Sequence, residues 1–140
     1  MIEQSLVLIK PEAVSRGLIG EIVGRFEARQ FRIVAMKMQT LSRDVAETHY
    51  GEHRGKPFFE GLVSHITSGP VVALVVESPE VVSMIRLMLG ATNAAVALPG
   101  TIRGDLAQSI AENVVHASDS PESAQREIKL FFFLTEKNSF

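Results

Sequence analysis

The sequence predicts one domain of the α/β sandwich class, in which a four-stranded sheet carries helices on one face. Short β-rich apolar runs alternate along the chain with stretches whose apolar residues recur every three or four positions, the periods of strands and helices. The chain has 140 residues, of which 46% are apolar, enough for one compact domain with a sizeable core. We therefore expect residues 1–140 to form a single domain.

The N-terminal part of the chain is predicted to contain a strand, a helix and a second strand. Residues 5–10 form an apolar run that stops at Pro11, which predicts a buried strand that delivers Lys10 to a loop. Residues 31–41 alternate enough to predict the second strand. The helix between them, residues 17–29, is predicted from one apolar face at three- and four-residue spacing: Leu18, Ile19, Ile22, Val23 and Phe26.

Two helices separated by a loop precede a central strand in the predicted order. Ser42 is a suitable N-cap for a short helix that runs through Tyr50, and residues 51–57 form the following loop. A second helix covers residues 58–68. Residues 71–77 are almost continuously apolar, so they should form a central strand that is covered on both faces of the sheet.

The C-terminal half is predicted to contain two helices on either side of a long loop, followed by a final strand. Pro79 suits the first turn of the first helix. Residues 91–105 have no periodicity, and loops of this length in a small domain are usually functional or disordered. Ser120 suits the N-cap of the last helix, which continues to about Ile128, and residues 130–133 are predicted as the fourth strand.

Composition and charge exclude several classes of protein. The 14 lysine and arginine residues against 16 aspartate and glutamate residues give a net charge of −2, so the chain has no general attraction for nucleic acid or anionic membranes. The longest apolar run, residues 71–76, is much shorter than the ~20 residues of a membrane-spanning helix. The absence of cysteine excludes disulfides and thiolate chemistry. The N-terminal residues do not resemble a secretory signal, and we expect a cytoplasmic protein.

His116 occupies an unusual place in the sequence Asn-Val-Val-His-Ala-Ser-Asp-Ser. Two valines precede it and draw the segment into the core, whereas Ser118, Asp119 and Ser120 offer the hydrogen bonds of a turn or a helix start. A histidine where a buried segment reaches the surface is either a hydrogen-bonded structural residue or a functional one. As a nucleophile, a neutral imidazole suits phosphoryl transfer because phosphate oxygens do not repel it.

Three cations could bind an anion, and they lie at the end of the first strand, on a helix and in the long loop: Lys10, Arg86 and Arg103. Arg103 stands in Pro-Gly-Thr-Ile-Arg-Gly-Asp, where flanking glycines would let backbone amides and the guanidinium approach a phosphate together. A surface ion pair with Asp105 explains Arg103 equally well. Glu127 is the candidate carboxylate. The sequence has no P-loop, dinucleotide-binding glycine motif, nucleophilic serine elbow or pair of metal ligands at helical spacing.

Five short motifs, in order and along nearly the whole chain, resemble the nucleoside diphosphate kinase family. They are Lys-Pro-Glu, His-Tyr with Lys-Pro-Phe-Phe, Thr-Ser-Gly-Pro-Val-Val, Pro-Gly-Thr-Ile-Arg-Gly-Asp, and the histidine segment with Glu-Ser-Ala-Gln-Arg-Glu-Ile. The resemblance implies a ferredoxin-like sandwich with a four-stranded antiparallel sheet. It further implies that the γ-phosphate of a nucleoside triphosphate moves to a nucleoside diphosphate through a phosphohistidine, in a ping-pong reaction. Magnesium would be bound with the nucleotide, and no side chain is assigned to a metal.

The resemblance also assigns roles to individual residues. His116 would be the nucleophile that carries the phosphate, and Glu127 would hold its other ring nitrogen and so fix its tautomer and orientation. Lys10 and Asn113 would hold the sugar hydroxyls and the transferring phosphate, with Tyr50 beside the histidine. The other positions bind phosphates or the base: Arg86, Thr92, Arg103 and His53 for the phosphates, and Phe58 and Ile110 for the base.

Some positions have a structural alternative or depart from the family pattern. Either Phe58 or Phe59 could belong to the core, and the resemblance selects Phe58 as the nucleotide platform. Glu12 stands where aspartate is commoner, and Ala94 replaces a frequent proline in the long loop. These departures concern subunit contacts rather than chemistry. A homo-oligomer is expected, with a hexamer favoured over a tetramer, because neighbouring subunits would bury the apolar residues 94–98.

Two other classes of function are alternatives. A ferredoxin-like nucleic-acid-binding module would need aromatic side chains exposed on strands and a basic face. The single tyrosine, the absence of tryptophan and the net charge of −2 argue against it. A nucleotide-binding regulatory protein without turnover is the other alternative, and the intact pair of His116 and Glu127 argues against that.

Little preference among bases is expected, because no polar residue beside Phe58 and Ile110 could read base edges.

Overall fold

The computed structural model describes residues 1–134, which form a four-stranded antiparallel sheet with helices packed on it. The strand order is β2-β3-β1-β4, and every pair of neighbours is antiparallel. This is the predicted ferredoxin-like arrangement. The strands are β1 (Ile2–Ile9), β2 (Arg32–Gln39), β3 (Val71–Pro79) and β4 (Val115–Ala117).

The α-helices of the described chain are numbered in order: α1 (Pro11–Ser15), α2 (Ile19–Ala28), α3 (Arg43–His49), α4 (Phe59–Ile66), α5 (Val81–Leu89), α6 (Ile102–Leu106) and α7 (Pro121–Ile128). Short 3-10 turns cover Gly51–His53 and Ala94–Val96. The predicted N-caps are present: the Ser42 hydroxyl accepts from the Val45 N–H, and the Ser120 hydroxyl accepts from the Ser123 N–H. None of the helices found in residues 1–134 combines the length and apolar character needed to span a membrane.

Helices cover both faces of the sheet, so the prediction of helices on one face was wrong. Alternate residues of a strand point to opposite faces, and Val7 and Leu8 belong to different apolar clusters. The first cluster includes Ile22 and Phe26 of α2, whereas the second includes Val63 of α4. The almost continuous apolar run of β3 predicted this two-sided cover.

The fourth strand lies elsewhere than predicted. Residues 130–133 belong to a π-helical segment, Lys129–Leu134, that follows α7 without a turn. Leu130, Phe131 and Phe132 are buried in succession there, and periodicity does not separate a short buried helical segment from a strand. β4 takes the place beside β1, with His116 opposite Leu8. Three residues were too few to be recognised as a strand.

Three connections also differ from the prediction. Lys10 precedes a short helix rather than a loop, because Pro11 begins α1 at a position where its missing N–H costs nothing. Pro79 ends β3 instead of starting α5. The segment 91–105 contains a 3-10 turn and most of α6, both too short to produce a periodic pattern. These changes fix the backbone around Lys10 and Arg103.

Candidate active site

His116 lies at the centre of β4 and projects from the face opposite its two neighbours. Val115 and Ala117 are buried in the first apolar cluster, whereas the His116 side chain is 26% exposed. The strand therefore anchors the backbone on both sides of the imidazole and leaves the ring accessible. This geometry explains why β-branched residues precede a polar side chain.

A carboxylate and a hydroxyl fix the orientation of the His116 ring. Nε2 of His116 lies 3.1 Å from Oε2 of Glu127, on α7, and the Ser118 hydroxyl donates to Oε1 at 2.7 Å. Burial opposes ionisation of Glu127, but hydrogen bonds from His116 and Ser118 and the nearby imidazole outweigh it, so its pKa is lowered. The carboxylate thus accepts a hydrogen bond from Nε2, and Nδ1 has no hydrogen-bond partner among residues 1–134.

Lys10 is tied to the segment that precedes the histidine. Its Nζ donates to Oδ1 of Asn113 at 2.7 Å, and Nδ2 of Asn113 donates to the Thr92 carbonyl at 3.0 Å. Burial lowers the pKa of Lys10 to about 8, Glu12 opposes the shift, and the positive charge of Arg103 adds to it. Three residues predicted for the site therefore form one hydrogen-bonded group.

Arg103 points into the protein rather than toward Asp105. Its guanidinium donates to the Val115 carbonyl at 2.7 Å and to the Gly90 carbonyl at 3.0 Å, and the residue is only 7% exposed. Asp105 instead pairs with Arg25 at 2.9 Å. The surface ion pair between Arg103 and Asp105, one of the two interpretations of the sequence, is therefore absent. Arg103 instead holds the backbone of β4 next to His116 through its hydrogen bond to Val115.

Positive charge accumulates beside this group. Burial lowers the pKa of Arg103 to about 10, and the second cause is the positive charge of Arg86. Arg86 itself is exposed on α5. The Lys10 ammonium and the guanidinium groups of Arg86 and Arg103 are thus close enough to affect one another's charge, and such a concentration of positive charge attracts anions.

An exposed aromatic ring lies at the start of α4. Phe58 is 51% exposed and Phe59 is 8% exposed, so Phe59 is the core residue and Phe58 is available to a ligand. The His53 ring lies 5.3 Å from the Phe58 ring, and Lys56 Nζ lies 5.8 Å from it. Two polar side chains therefore lie near the Phe58 ring, and the expectation that none of them reads base edges stays a prediction. Ile110, the other residue predicted for the base, is 61% exposed.

Tyr50 and a residue that sequence reasoning missed pack behind the imidazole. His49 is almost fully buried, and its ring lies 4.7 Å from both the His116 and the Tyr50 rings. Burial, followed by the charge of His116, lowers the His49 pKa to about 3, so its ring is neutral. Burial raises the Tyr50 pKa to about 12, and Glu12 and Glu127 add to the shift. The helical spacing from Ala46 could have revealed His49, because it places both residues on the buried face of α3.

His49, His116 and Glu127 also form a group whose donor atoms lie within 4.8 Å of one another. Two imidazoles and one carboxylate are unlike the oxygen donors that magnesium prefers. The carboxylate is also engaged by Ser118. The arrangement favours a nucleophile with an oriented ring over a magnesium site built from these side chains.

An oriented imidazole, three nearby cations and an exposed aromatic ring on a ferredoxin-like sheet define a nucleotide phosphotransferase. The family model for nucleoside diphosphate kinase matches residues 3–137 of the sequence. The chain belongs to the nucleoside diphosphate kinase family.

Curated relatives and solved structures agree with this assignment. The nucleoside diphosphate kinase of Thermus thermophilus is 60% identical over 130 residues, which cover 93% of this chain and 95% of that protein. The Carboxydothermus hydrogenoformans enzyme is 58% identical over 130 residues, covering 93% of this chain and 87% of its own. The Halobacterium salinarum enzyme, solved in complex with CDP, superposes with a TM-score of 0.92 at 45% identity, covering 95% of this chain and 89% of that one. The Encephalitozoon cuniculi enzyme gives a TM-score of 0.91 at 41% identity, covering 93% and 88%.

Proposed function

We propose that this protein transfers the γ-phosphate of a nucleoside triphosphate to a nucleoside diphosphate in two steps, through a phosphohistidine at His116. The observation that carries the proposal is that the two ring nitrogens of His116 have different surroundings. Nε2 is held by Glu127 at 3.1 Å, whereas Nδ1 has no hydrogen-bond partner in the described chain. A neutral ring with its proton on Nε2 presents the Nδ1 lone pair as a nucleophile.

The first step forms one bond and breaks one bond. The Nδ1 lone pair bonds to the γ-phosphorus, while the bond from that phosphorus to the β,γ-bridging oxygen breaks and the nucleoside diphosphate leaves with the electron pair. The phosphorylated ring is cationic, and the Glu127 carboxylate at Nε2 stabilises it. In the second step an oxygen of the acceptor β-phosphate attacks the same phosphorus, and the electrons of the N–P bond return to Nδ1.

The surrounding cations would stabilise the charge on the moving phosphoryl group. Lys10 and Asn113 would contact this group and the sugar hydroxyls, with the Tyr50 hydroxyl beside the histidine. The other polar positions would bind the donor and acceptor phosphates: His53, Arg86, Thr92 and Arg103. The base would stack on Phe58 with Ile110 on its other side, and stacking accepts any base.

Magnesium would accompany the nucleotide rather than occupy a protein site. When bound to the phosphates it neutralises part of their charge. Glu127 is the only carboxylate of the group of possible ligands at His116, and it already accepts hydrogen bonds from His116 and Ser118. The neighbouring imidazoles, ammonium and guanidinium groups do not supply the oxygen ligands that magnesium prefers.

A closed homo-oligomer is part of the proposal, with a hexamer favoured over a tetramer. Val96 and Leu98 expose most of their side chains on the segment 94–98, which is costly for apolar groups in water. Met36 and Met38 are exposed on the edge strand β2.

A cytoplasmic location stays a prediction from the sequence.

The direct test is to incubate wild type and His116→Ala with ATP labelled on the γ-phosphate and with magnesium, without an acceptor. Wild type is expected to take up label that acid releases and alkali does not, as for phosphate on nitrogen, and to pass it to added GDP. The variant is expected to remain unlabelled. Equal labelling of the two proteins, or label on a serine, would falsify the assignment.

A further inference from the structure

The residue two positions before His116 adopts a strained backbone conformation. Val114 has a φ of +66°, a region that β-branched residues rarely adopt. The Val115 N–H donates to the Asn113 carbonyl at 2.9 Å, so Val114 is the central residue of a γ-turn with positive φ, the strained form of that turn. Such a conformation persists only where surrounding contacts enforce it. The turn sets the directions of Asn113 and His116.

Contacts from the start of α1 enforce this conformation. The Lys10 N–H donates to the Val114 carbonyl at 2.9 Å, and the Val114 N–H donates to Oε2 of Glu12 at 3.2 Å. The first bond belongs to the backbone, but the second depends on where a side-chain carboxylate points. Anything that fixes the Glu12 carboxylate therefore also supports the turn.

A histidine from another helix fixes that carboxylate. Nε2 of His65, in the last turn of α4, lies 2.7 Å from Oε1 of Glu12, so each carboxylate oxygen has its own partner. Glu12 is largely buried, and the His65 side chain is 32% exposed. Glu12 also interacts through charge with Lys10 and Tyr50. A carboxylate released from His65 is free to rotate toward the Lys10 ammonium and away from Val114.

We propose that His65 is a positioning residue for phosphoryl transfer, which acts through Glu12 to hold the Val114 turn and to keep the carboxylate from pairing with Lys10. The inference rests on the proposed function, because it concerns the rate at which His116 accepts and donates phosphate. His65 touches neither Phe58 nor the arginines through any hydrogen bond or ring contact in residues 1–134. Its loss should therefore change the transfer step more than nucleotide binding, which it can affect only through Lys10 and Asn113.

Three substitutions of His65 separate positioning from simple support of the fold. His65→Gln places an amide N–H about where Nε2 lies and should keep the bond to Glu12. The asparagine of His65→Asn is polar but one bond too short to reach Glu12, and the phenylalanine of His65→Phe has no hydrogen-bond donor. We expect His65→Asn and His65→Phe to lower kcat roughly tenfold to a hundredfold, because misplacement by ~1 Å has effects of that size. The nucleotide Kd should rise by a smaller factor than kcat falls. His65→Gln should stay within about threefold of wild type.

Glu60→Gln is the matched control on the same helix. It removes an ion pair with Arg43 at 2.7 Å on the exposed side of α4 and should leave kcat unchanged. If His65→Phe does not fold, the comparison of His65→Asn with His65→Gln decides alone, since both place a polar side chain at a partly exposed position. Wild-type kcat in folded His65→Asn, or equal losses of kcat in His65→Asn and His65→Gln, would overturn the inference. Labelling of wild type at a residue other than His116 would instead overturn the proposed function.

Discussion

Nζ of Lys10 donates a 2.7 Å hydrogen bond to Oδ1 of Asn113, which joins the end of β1 to the turn before β4. The same amide reaches the Thr92 carbonyl with its other end. Residues far apart in sequence are thus held in one group by a single side-chain amide. The ammonium in this group lies in a buried place, and its pKa of about 8 falls within the range in which enzymes are assayed.

The charge on Lys10 should limit activity at alkaline pH. Its pKa is lowered by burial, so the ammonium is present below about pH 8 and is lost as pH rises through that value. Because kcat/KM reports the pKa values of the free enzyme, it should fall on the alkaline side near pH 8. The fall in kcat should occur at a higher pH, because bound phosphate stabilises the charged form of Lys10. Lys10→Arg should be slower but lose this alkaline fall, since a guanidinium stays protonated. An unchanged profile in Lys10→Arg would exclude Lys10 as the titrating group.

Glu127 should matter mainly for the tautomer of His116. In Glu127→Gln the amide can donate to Nε2, which would move the ring proton to Nδ1 and block the nucleophile. Formation of the phosphoenzyme, followed by rapid-quench labelling, should slow by about 10²- to 10⁴-fold, the range for a wrong histidine tautomer elsewhere. Ser118→Ala is the control, because it removes the hydrogen bond to Oε1 and keeps the carboxylate. It should cost no more than about tenfold. Equal effects of the two substitutions would contradict the tautomer argument.

Local sequence patterns predicted the parts of the fold that repeat over many residues. The apolar run of β3 and the apolar face of α2 are long enough to define their period. β4 has three residues with a histidine in the centre, and the π-helical segment after α7 has the composition of a strand. In both places tertiary packing, which the local pattern does not contain, decides the structure.

The candidate site was predicted residue by residue from the family resemblance, but its pairings depend on contacts across the chain. The contact between His116 and Glu127 was expected and is present, because both belong to one continuous motif. The bond between Glu12 and His65 joins residues 53 positions apart, and His65 lies in none of the five motifs. His49 stands in the His-Tyr motif but was given no role, because its contacts with His116 and Phe131 depend on packing between distant parts of the chain.

Base stacking on Phe58 should contribute the same free energy for every nucleotide. Phe58→Ala should weaken nucleotide binding by about 1–3 kcal/mol, the usual value of one base–aromatic stack. Lys56 Nζ and the His53 ring lie near the Phe58 ring at 5.8 Å and 5.3 Å, and a cation near the ring favours no particular base. Purine and pyrimidine diphosphates should therefore differ little in kcat/KM, and the loss in Phe58→Ala should be similar for both. A difference above about a thousandfold, or ~4 kcal/mol, would exclude stacking as the main contact.

His49 should be replaceable by phenylalanine without loss of stability. Both of its ring nitrogens are buried without a hydrogen-bond partner in the described chain, which costs free energy relative to an apolar ring. Phenylalanine preserves the edge contacts with His116 and Phe131, at 4.7 Å and 5.3 Å between centroids. The free energy of unfolding of His49→Phe, from urea titration, should equal or exceed that of wild type by up to about 2 kcal/mol. A lower value would mean that the imidazole nitrogens have a stabilising partner. His49→Ala, which removes the ring, shows how much stability is lost with the packing alone.

The proposed oligomer can be dissected because two different surfaces expose apolar side chains. Met36 and Met38 are each more than half exposed on β2, an edge strand, and such strands readily pair with a neighbouring chain. Val96 and Leu98 form the second surface. A hexamer with dihedral symmetry has both two-fold and three-fold interfaces, whereas a dihedral tetramer has only two-fold interfaces.

Each surface should therefore give a different product when lysine is introduced. Light scattering of wild type at micromolar concentration should give six chain masses. Met36→Lys with Met38→Lys should disrupt the two-fold contact and give trimers, whereas Val96→Lys with Leu98→Lys should disrupt the three-fold contact and give dimers. Dimers from the β2 variant would instead indicate a tetramer, and a monomeric wild type would exclude the oligomer altogether. Circular dichroism of both variants serves as the control, because these side chains are exposed and their replacement should leave the chain folded.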